Sequence, residues 1–349
     1  MNIINIITNT PVSSLAIPNN ELTHTTMGKI DKSRPVILVD TSYWLYYRYF
    51  ALRTWYKKAF PDSSRSENFD IEHNWLEDTI FINKFCYLFI ENIKKIVRKY
   101  GTIMSNVVFC IDCSFKDIWR NAIITEYKAT RPELLKKKGF NAFNVFNYVK
   151  KEYLPKLQVQ YGIKICYHSR CEADDIIGHF APFLIAHGVP MVYVVANDND
   201  YLQICNSRIK MIKGGLLPDS SSNYPYPGEQ YLIRKILQGD VSDNIRGCSI
   251  NKVLLEKNIH NIGELNATLE EQIYKTVSRG NIETLLMDDT RYEFFSQLLD
   301  AIRKGDIKDA NDGRLLLIRN FYENSVLMDF KMIPKDILKE LEIRFASYM

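Results

Sequence analysis

The sequence lacks the features that mark membrane and secreted proteins. No uninterrupted apolar run is long enough to span a bilayer, and residues 1–33 have no basic segment followed by an apolar core. Neither a transmembrane helix nor a signal peptide is therefore predicted. The seven cysteines are odd in number and scattered, which argues against a disulfide framework and predicts an intracellular, reducing compartment.

The sequence also lacks a zinc motif and internal repeats. Cys110 and Cys113 form a lone C-x-x-C pair, and no two further ligands stand at a matching spacing. The net charge of +4 is too small to identify a partner by itself. With 46% apolar and 25% charged residues among 349, the chain has the composition of a globular protein of one large domain or two joined domains.

What the sequence does contain is a series of acidic residues at the ends of short apolar runs. Asp40, Asp112 and Asp198 each follow such a run. Runs of this kind predict buried strands of a parallel sheet, whose ligand crevice lies outside the carboxyl ends of the strands. We therefore expect the carboxylates to converge on one edge of one sheet. The full series is Asp40, Asp112, Glu172, Asp174, Asp175, Asp198, Asp200, Asp240 and Asp243.

So many carboxylates in one place predict a metal centre. Close carboxylates repel one another unless a cation lies between them, and hard oxygen ligands suit Mg²⁺ or Mn²⁺. Nine acids exceed the needs of one ion, so we expect two, about 3.5–4 Å apart, the geometry of phosphodiester hydrolysis. Each acidic pair taken singly could instead be a helix cap or a turn. The net charge of the chain is +4. If nine acidic side chains belong to the metal centre, the rest of the chain is strongly positive, which suits a polyanionic substrate.

The hydrophobic pattern predicts an α/β fold with a mainly parallel central sheet flanked by helices. Strands are expected at about 36–39, 106–111, 163–167, 191–195 and 208–212, alternating with helices. After the loop at 214–228 the sequence predicts helices, at about 229–238, 250–258, 262–280, 290–304 and 334–347. The predicted organisation is a flexible extension at 1–33, an α/β core at 34–228 and a helical region at 229–349.

Five motifs in this order resemble those of the flap endonuclease / 5′–3′ exonuclease family, most closely its phage and bacterial branch. Together they span about 38–247. They are Asp40-Thr-Ser-Tyr-Trp-Leu-Tyr-Tyr-Arg48, Asp112-Cys-Ser-Phe-Lys-Asp-Ile-Trp-Arg120 with Glu126-Tyr127-Lys128-Ala-Thr-Arg131-Pro132, Glu172-Ala-Asp-Asp-Ile-Ile-Gly, Asn197-Asp198-Asn-Asp200-Tyr-Leu-Gln, and Gly239-Asp240-Val-Ser-Asp243-Asn244-Ile-Arg-Gly247.

The resemblance implies a PIN-like nuclease core with a helical arch at about 114–140. It implies that Arg120 and Lys128 reach from the arch to the scissile phosphate as catalytic residues. It assigns the first metal ion to Asp40, Asp112, Glu172 and Asp174, and the second to Asp175, Asp198, Asp200, Asp240 and Asp243. It assigns DNA binding to Tyr46, Arg48, Tyr127, Arg131 and Lys252, although core packing is an equal alternative for Tyr46.

One departure concerns the region after Asp243. The family places a helix–turn–helix there, whose glycine-rich hairpin binds duplex DNA and K⁺. The glycines expected before Lys252 are missing, so the helix–turn–helix is modified and the K⁺ site is in doubt. No motif for docking a sliding clamp is visible.

The function expected from these motifs is a structure-specific 5′ nuclease, active in DNA replication or repair. Its expected partners are DNA with 5′ ends or flaps, and RNA–DNA hybrids or RNA primers, and the chain is expected to be a monomer.

Three different functions compete with this expectation. The first is a haloacid-dehalogenase-like phosphatase, because Asp198-Asn-Asp200 resembles its D-x-D element. That function leaves Asp40 and Asp112 without a role and has Leu202 where Thr or Val is expected. The second is a non-catalytic module that binds branched DNA, and the third is a PIN-like ribonuclease.

Overall fold

A five-stranded parallel sheet forms the centre of the protein in the computed structural model, which describes residues 28–61, 69–124, 127–129, 140–214, 228–248, 289–305 and 316–349. Neighbouring strands follow the order β3–β2–β1–β4–β5, so the chain reverses its direction of winding between β3 and β4. The strands are β1 (Val36–Asp40), β2 (Val107–Ile111), β3 (Lys164–Tyr167), β4 (Val192–Val195) and β5 (Ile209–Ile212).

Helices cover both faces of this sheet. A π-helical turn at Val149–Tyr153 joins the fourth and fifth helices into one continuous segment. The helices are α1 (Thr41–Ala59), α2 (Phe69–Glu72), α3 (Thr79–Lys99), α4 (Phe143–Tyr148), α5 (Leu154–Tyr161), α6 (Ala173–Ala186), α7 (Glu229–Gln238), α8 (Asp289–Lys304), α9 (Leu316–Met328) and α10 (Lys335–Tyr348).

The inner strands β1, β2 and β4 are almost entirely apolar because both of their faces are buried. In β1, Ile37 and Val39 face a core shared with α1 and α3, whereas Val36 and Leu38 face a second core shared with α6 and α10. A third cluster joins α7, α8 and α9. This layering confirms the predicted fold class, a parallel sheet flanked by helices, and the five predicted strands are all present within two residues of their expected bounds.

Two segments pack with the α/β core although the sequence predicted them outside it. Ile30, expected in a flexible extension, is buried, and its N–H donates to the carbonyl of Tyr348 at 2.7 Å. Helix α10, expected in a separate helical region, packs on the sheet layer, where the rings of Phe345 and Phe180 stack 4.0 Å apart. Both ends of the described chain thus belong to the α/β core.

The helical region holds one further difference. Helix α9 was not predicted, although it supplies Phe321 and Leu327 to the third cluster. The helices expected at 250–258 and 262–280 lie outside the described residues.

The described part of the expected arch begins with two 3₁₀ turns, Phe115–Asp117 and Trp119–Ala122. Trp119 and Arg120, in the second turn, are both buried. This turn therefore packs into the protein, whereas an arch would stand above the sheet. Residues 125–126 and 130–139 lie outside the described residues.

Two further observations concern the whole fold. All seven cysteines are within the described residues, and each is a free thiol. None of the helices in the described ranges is long and apolar enough to cross a membrane.

Candidate metal centre

The carboxyl edge of the sheet brings Asp40 and Asp112 together. Asp40 ends β1 and caps α1, where its Oδ1 accepts the N–H of Tyr43 at 2.9 Å and its Oδ2 accepts the hydroxyl of Tyr201 at 3.2 Å. Asp112 follows β2 and accepts the N–H of Ala173 at 2.8 Å. The two backbone N–H donors belong to the first turns of α1 and α6, so the fold itself fixes both side chains at the mouth of the sheet.

A first acidic cluster consists of Glu172, Asp174 and Asp175 at the N-terminus of α6. One oxygen of each lies within 4.8 Å of the others. Glu172 and Asp175 form a capping box, in which each carboxylate accepts the other residue's backbone N–H. The helix dipole favours negative charge here, which helps to hold three acids in one turn.

A second acidic cluster consists of Asp200, Asp240 and Asp243, again with oxygens within 4.8 Å of one another. Asp240 accepts the N–H of Ser242 at 2.8 Å and of Asp243 at 3.3 Å. These bonds shape the turn between the short strands β6 (Gly239–Asp240) and β7 (Ile245–Arg246).

Glycine is required at Gly239, the first residue of β6. It has φ +76°, and a Cβ there would lie 2.4 Å from the nitrogen of Gly247. Any side chain would push the two short strands apart and move the aspartates that follow.

Asp198 differs from the acids of the two clusters. It is exposed, and its carboxylate accepts the N–H of Asp200 at 3.0 Å. In this structure it orients Asp200 and lies outside both clusters.

Repulsion and burial raise the pKa values of the central acids. Burial, then the charges of Asp112 and Asp174, raises the pKa of Asp40 to about 7. Burial and Asp174 raise the pKa of Glu172 to about 7. Burial, then Asp198 and to a smaller extent Asp174, raises the pKa of Asp200 to about 6 against the opposing effect of Lys235.

Asp174 is therefore the shared electrostatic neighbour of both clusters and of Asp40. A divalent cation relieves repulsion of this kind, and the donor set consists of the hard oxygens that Mg²⁺ and Mn²⁺ prefer. The residues present fit two divalent ions.

Arg120 lies beneath the first cluster. Its side chain is buried, and its two terminal nitrogens contact Asp175 at 2.9 and 2.6 Å. One of them also contacts Glu172 at 3.3 Å, and Nε donates to the carbonyl of Leu327 at 2.7 Å. The guanidinium is thus directed into the protein, which differs from the expectation that it reaches a phosphate from an arch.

The same contacts hold Asp175 close to Glu172 and Asp174. Asp175 was expected beside the second ion, but it is fully buried and lies in the first cluster. Its oxygens accept from Arg120, from the indole N–H of Trp119 at 3.1 Å and from the N–H of Glu172 at 3.0 Å. Both of its oxygens thus accept hydrogen bonds from protein donors.

Lys128 lies between the clusters. Its Nζ is 2.6 Å from Glu172 and 3.5 Å from Asp243, and its backbone N–H donates to the carbonyl of Asp243 at 3.0 Å. Its φ of +54° is uncommon for a residue with a side chain. The hydroxyl of the neighbouring Tyr127, expected to bind DNA, is buried and donates to Glu172 at 2.9 Å.

Lys235 contacts the second cluster, and this contact was not predicted from the sequence. It lies in the last turn of α7, and its Nζ contacts Asp200 and lies 3.0 Å from Asp240. Nothing in the sequence distinguishes it from other basic residues of an amphipathic helix. Only its placement five residues before Asp240, at the end of a helix leading into the turn, could have drawn attention to it.

The ring of Tyr46, which was expected to bind DNA, packs against other aromatic rings. Tyr46 is half-buried, with its ring 4.9 Å from Phe146 and 5.1 Å from Phe140. Tyr47, one residue on, is more exposed, and the guanidinium of Arg48 lies 4.2 Å from its ring centre. The other two expected DNA contacts, Arg131 and Lys252, lie outside the described residues.

Comparison with known proteins identifies the family. The sequence model of the 5′–3′ exonuclease N-terminal resolvase-like domain matches residues 35–231. The chain belongs to the 5′–3′ exonuclease family. The match covers the sheet, the first cluster, Asp198 and Asp200, and it ends inside α7, before Asp240 and Asp243.

Two curated relatives are named 5′–3′ exonucleases. One, from Buchnera aphidicola subsp. Schizaphis graminum, is 28% identical over 222 residues, 62% of this chain and 66% of that protein. The other, from Buchnera aphidicola subsp. Acyrthosiphon pisum, is 26% identical over 268 residues, 71% of this chain and 80% of that protein.

Solved structures support the fold. T5 5′-exonuclease with bound zinc ions superposes with a TM-score of 0.50 at 16% identity, covering 90% of this chain and 99% of that chain. T5 D15 protein co-crystallized with metal ions gives a TM-score of 0.50 at 15% identity over the same shares. This likeness extends across the PIN-like sheet and its helices.

Proposed function

We propose that this protein is a structure-specific 5′ nuclease, a flap endonuclease or 5′–3′ exonuclease, that hydrolyses DNA phosphodiester bonds with two divalent ions. The observation that carries the proposal is the pair of acidic clusters joined electrostatically through Asp174 at the carboxyl edge of the sheet. Many enzymes could cleave phosphate esters with such a site, and membership of the 5′–3′ exonuclease family favours a 5′ nuclease among them.

The residues divide between the two ions by position. Asp40, Asp112 and Asp174 would hold the first with Glu172, and the second cluster would hold the other. Mg²⁺ or Mn²⁺ bound there would lower the pKa of an attacking water and stabilise the leaving oxygen. The ligands need no large rearrangement, because Asp40 and Asp112 are already fixed by backbone N–H bonds.

The basic residues have different roles in this proposal. Lys128 carries a positive charge at the border of the two clusters, where it can stabilise charge that grows on a phosphate in the transition state. Arg120 acts through Asp175 and Glu172, whose carboxylates it orients, and is a positioning residue.

The contacts with DNA belong to the same proposal. Tyr47 and Arg48 join Tyr46 as candidates, because Tyr47 is the more exposed ring and its neighbour Arg48 adds a positive charge. An exposed ring can stack on a base, and a guanidinium beside it can contact a phosphate.

The proposal extends to the substrates of the nuclease and to the cellular process in which it acts. The substrates are DNA 5′ ends and flaps, with RNA–DNA hybrid as a further substrate, and the setting is DNA replication or repair. Curated relatives named 5′–3′ exonucleases support a nucleic acid with a 5′ end, and the positive charge of the chain outside its acidic centre suits such a polyanion. We further propose a monomer in a reducing compartment, in keeping with seven free thiols.

The test is cleavage of labelled DNA carrying a 5′ flap, a 5′ overhang, a nick or an RNA primer, with Mg²⁺, with Mn²⁺ or with EDTA. We expect metal-dependent release of products from the 5′ side and no reaction in EDTA. Binding without cleavage would favour the binding module, and release of inorganic phosphate alone would favour the phosphatase.

A further inference from the structure

We propose that Lys128 and Lys235 are internal counter-cations of the acidic clusters, whose ammonium groups leave their carboxylate partners when divalent ions bind. The inference rests on the proposed two-ion centre. It adds that metal binding is an exchange of cations at these carboxylates rather than the filling of an open site.

Lys235 contacts the second cluster from within the fold. Its side chain is 11% exposed, and Nζ lies 3.0 Å from Asp240 while also contacting Asp200. Two of the three acids that could hold an ion are therefore paired with one ammonium group. Lysine is suited to this placement because its ammonium is a compact point charge.

Lys128 contacts the remaining acid of that cluster and one acid of the other. Its side chain is 5% exposed, with Nζ 3.5 Å from Asp243 and 2.6 Å from Glu172. The two lysines together thus reach all three members of the second cluster.

Arg120 shows how a permanent counter-ion is held in the same centre. Its guanidinium makes a forked contact with Asp175, and its Nε is anchored on the carbonyl of Leu327. The ammonium groups of Lys128 and Lys235 instead contact carboxylates. A single ammonium on a flexible four-carbon stem can leave its acceptors by rotation about the side-chain bonds, whereas the guanidinium of Arg120 would also have to give up its bond to the Leu327 carbonyl.

A divalent ion and an ammonium group compete for these oxygens. Mg²⁺ binds oxygen at about 2.0–2.1 Å, so an ion among Asp200, Asp240 and Asp243 would lie within a few ångström of Lys235 Nζ. Like charges that close repel strongly in a buried site. The lysines must therefore withdraw as the ions enter, and the released ammonium groups become available to a substrate phosphate beside the centre.

Metal binding without substrate tests this inference. Mn²⁺ is titrated into the full chain and followed by calorimetry and by the EPR signal of free Mn²⁺, for the wild type, Lys235→Met and Lys128→Met. Methionine keeps an unbranched stem of similar length but removes the competing charge. We expect each variant to bind Mn²⁺ about tenfold more tightly than the wild type. Lys210→Met, which removes an exposed lysine of β5, is the matched control and should leave the affinity unchanged.

Two further measurements distinguish the loss of the ammonium charge from a general loss of folding. In EDTA, the melting temperature of Lys235→Met should fall, because Asp200 and Asp240 lose their counter-ion, and saturating Mn²⁺ should restore it. Lys235→Arg keeps a competing charge and should not show tighter binding.

The outcomes separate the inference from the proposed function. Unchanged or weaker Mn²⁺ binding in both methionine variants, with normal binding by the wild type, would overturn the counter-cation role alone. A wild-type chain that binds no Mn²⁺ would overturn the two-ion centre itself.

Discussion

The first and second acidic clusters hold equal numbers of carboxylates but are built differently. The first lies on the N-terminal turn of α6, where Glu172 and Asp175 cap the helix and Arg120 supports both from below. The second lies on short turns, with Asp200 in a 3₁₀ turn and Asp240 at the start of another, and its partner Lys235 comes from a separate helix. A centre of this kind combines one rigid half with one that depends on loop geometry.

This difference leads to unequal expectations for variants of the two clusters. Changes in the first should affect folding as well as catalysis, because its acids are also cap and core residues. Changes in the second should affect metal binding and catalysis more than folding.

The largest effect is expected for Asp174→Ala, since Asp174 is the shared neighbour of both clusters. Cleavage of 5′-flap DNA should fall by on the order of a thousandfold or more, because removal of this charge weakens the field that both ions need. Single-turnover cleavage measures the loss. DNA binding, followed by fluorescence anisotropy, should be largely retained. The control is Asp336→Ala, which removes an exposed carboxylate paired with Arg170.

Arg120→Met, which removes the cation that contacts the first cluster, should be the most destabilising change in this part of the protein. It leaves Asp175 buried without its cation, a loss of about 3–5 kcal/mol in the free energy of unfolding. Urea denaturation in EDTA measures it. The comparison is Lys235→Met, which should cost less than Arg120→Met because turns are more able to admit water than a buried helix cap. Equal losses would remove the contrast between the clusters.

The pH dependence of stability should report the repulsion around Asp40. Burial and neighbouring acids raise the pKa of Asp40 in the folded protein to about 7, so the folded state holds this proton more tightly than the unfolded state does. In EDTA, the free energy of unfolding should therefore decrease between about pH 4 and pH 7, the interval between the unfolded and folded pKa values.

Asp40→Asn should make that slope shallower, since asparagine has no proton to lose. Saturating Mg²⁺ should also reduce the slope in the wild type, because the cation stabilises the ionised carboxylate. An Asp40→Asn protein with the same slope as the wild type would show that repulsion at Asp40 does not limit stability.

Lys128→Ala should slow the chemical step more than it weakens DNA binding. The reason is that charge on the phosphate grows in the transition state, so the contribution of Lys128 is largest there. Single-turnover rates at saturating DNA, compared with the dissociation constant in Ca²⁺, separate the two effects. A loss confined to affinity would contradict a transition-state role.

The smallest effect is expected for Asp198→Asn, beside the second cluster. Asp198 is exposed and orients Asp200 through its backbone, so loss of its charge should reduce Mn²⁺ affinity by about tenfold. Asp200→Asn in the same titration should reduce it much more. If the two variants were equal, Asp198 would be a direct ligand rather than an orienting residue.

The sheet and the position of the acids were predictable from the sequence because both depend on short segments. A run such as Val36–Asp40 carries its own strand signal and places its acid at the carboxyl end. The parallel arrangement then brings the strand-end acids to one edge without further information.

The contacts of the basic residues could not be predicted in this way, because their partners are distant in sequence. Arg120 meets Asp175 at a separation of 55 residues and Leu327 at a separation of 207. Lys235 meets Asp200 across 35 residues. Motif spacing identifies which residues are present, but the direction of a long basic side chain is decided by tertiary packing.

The burial of Asp175 in the first acidic cluster depends on packing for the same reason. Its motif position suggested a ligand, whereas its burial depends on Trp119 and Arg120, which arrive from the preceding connection. Helix α9 was not predicted because its role is to pack into the hydrophobic cluster that it shares with α7 and α8, and no acidic motif marks it.

Two divalent ions should bind at these two clusters, and a crystal soaked in Mn²⁺ tests this most directly. An anomalous difference map should show two peaks about 3.5–4 Å apart, one contacting Glu172 and Asp174 and the other contacting Asp200 and Asp240. The ammonium groups of Lys128 and Lys235 should have moved away from those carboxylates. A single peak, or peaks elsewhere while both lysines keep their present partners, would contradict the two-ion centre.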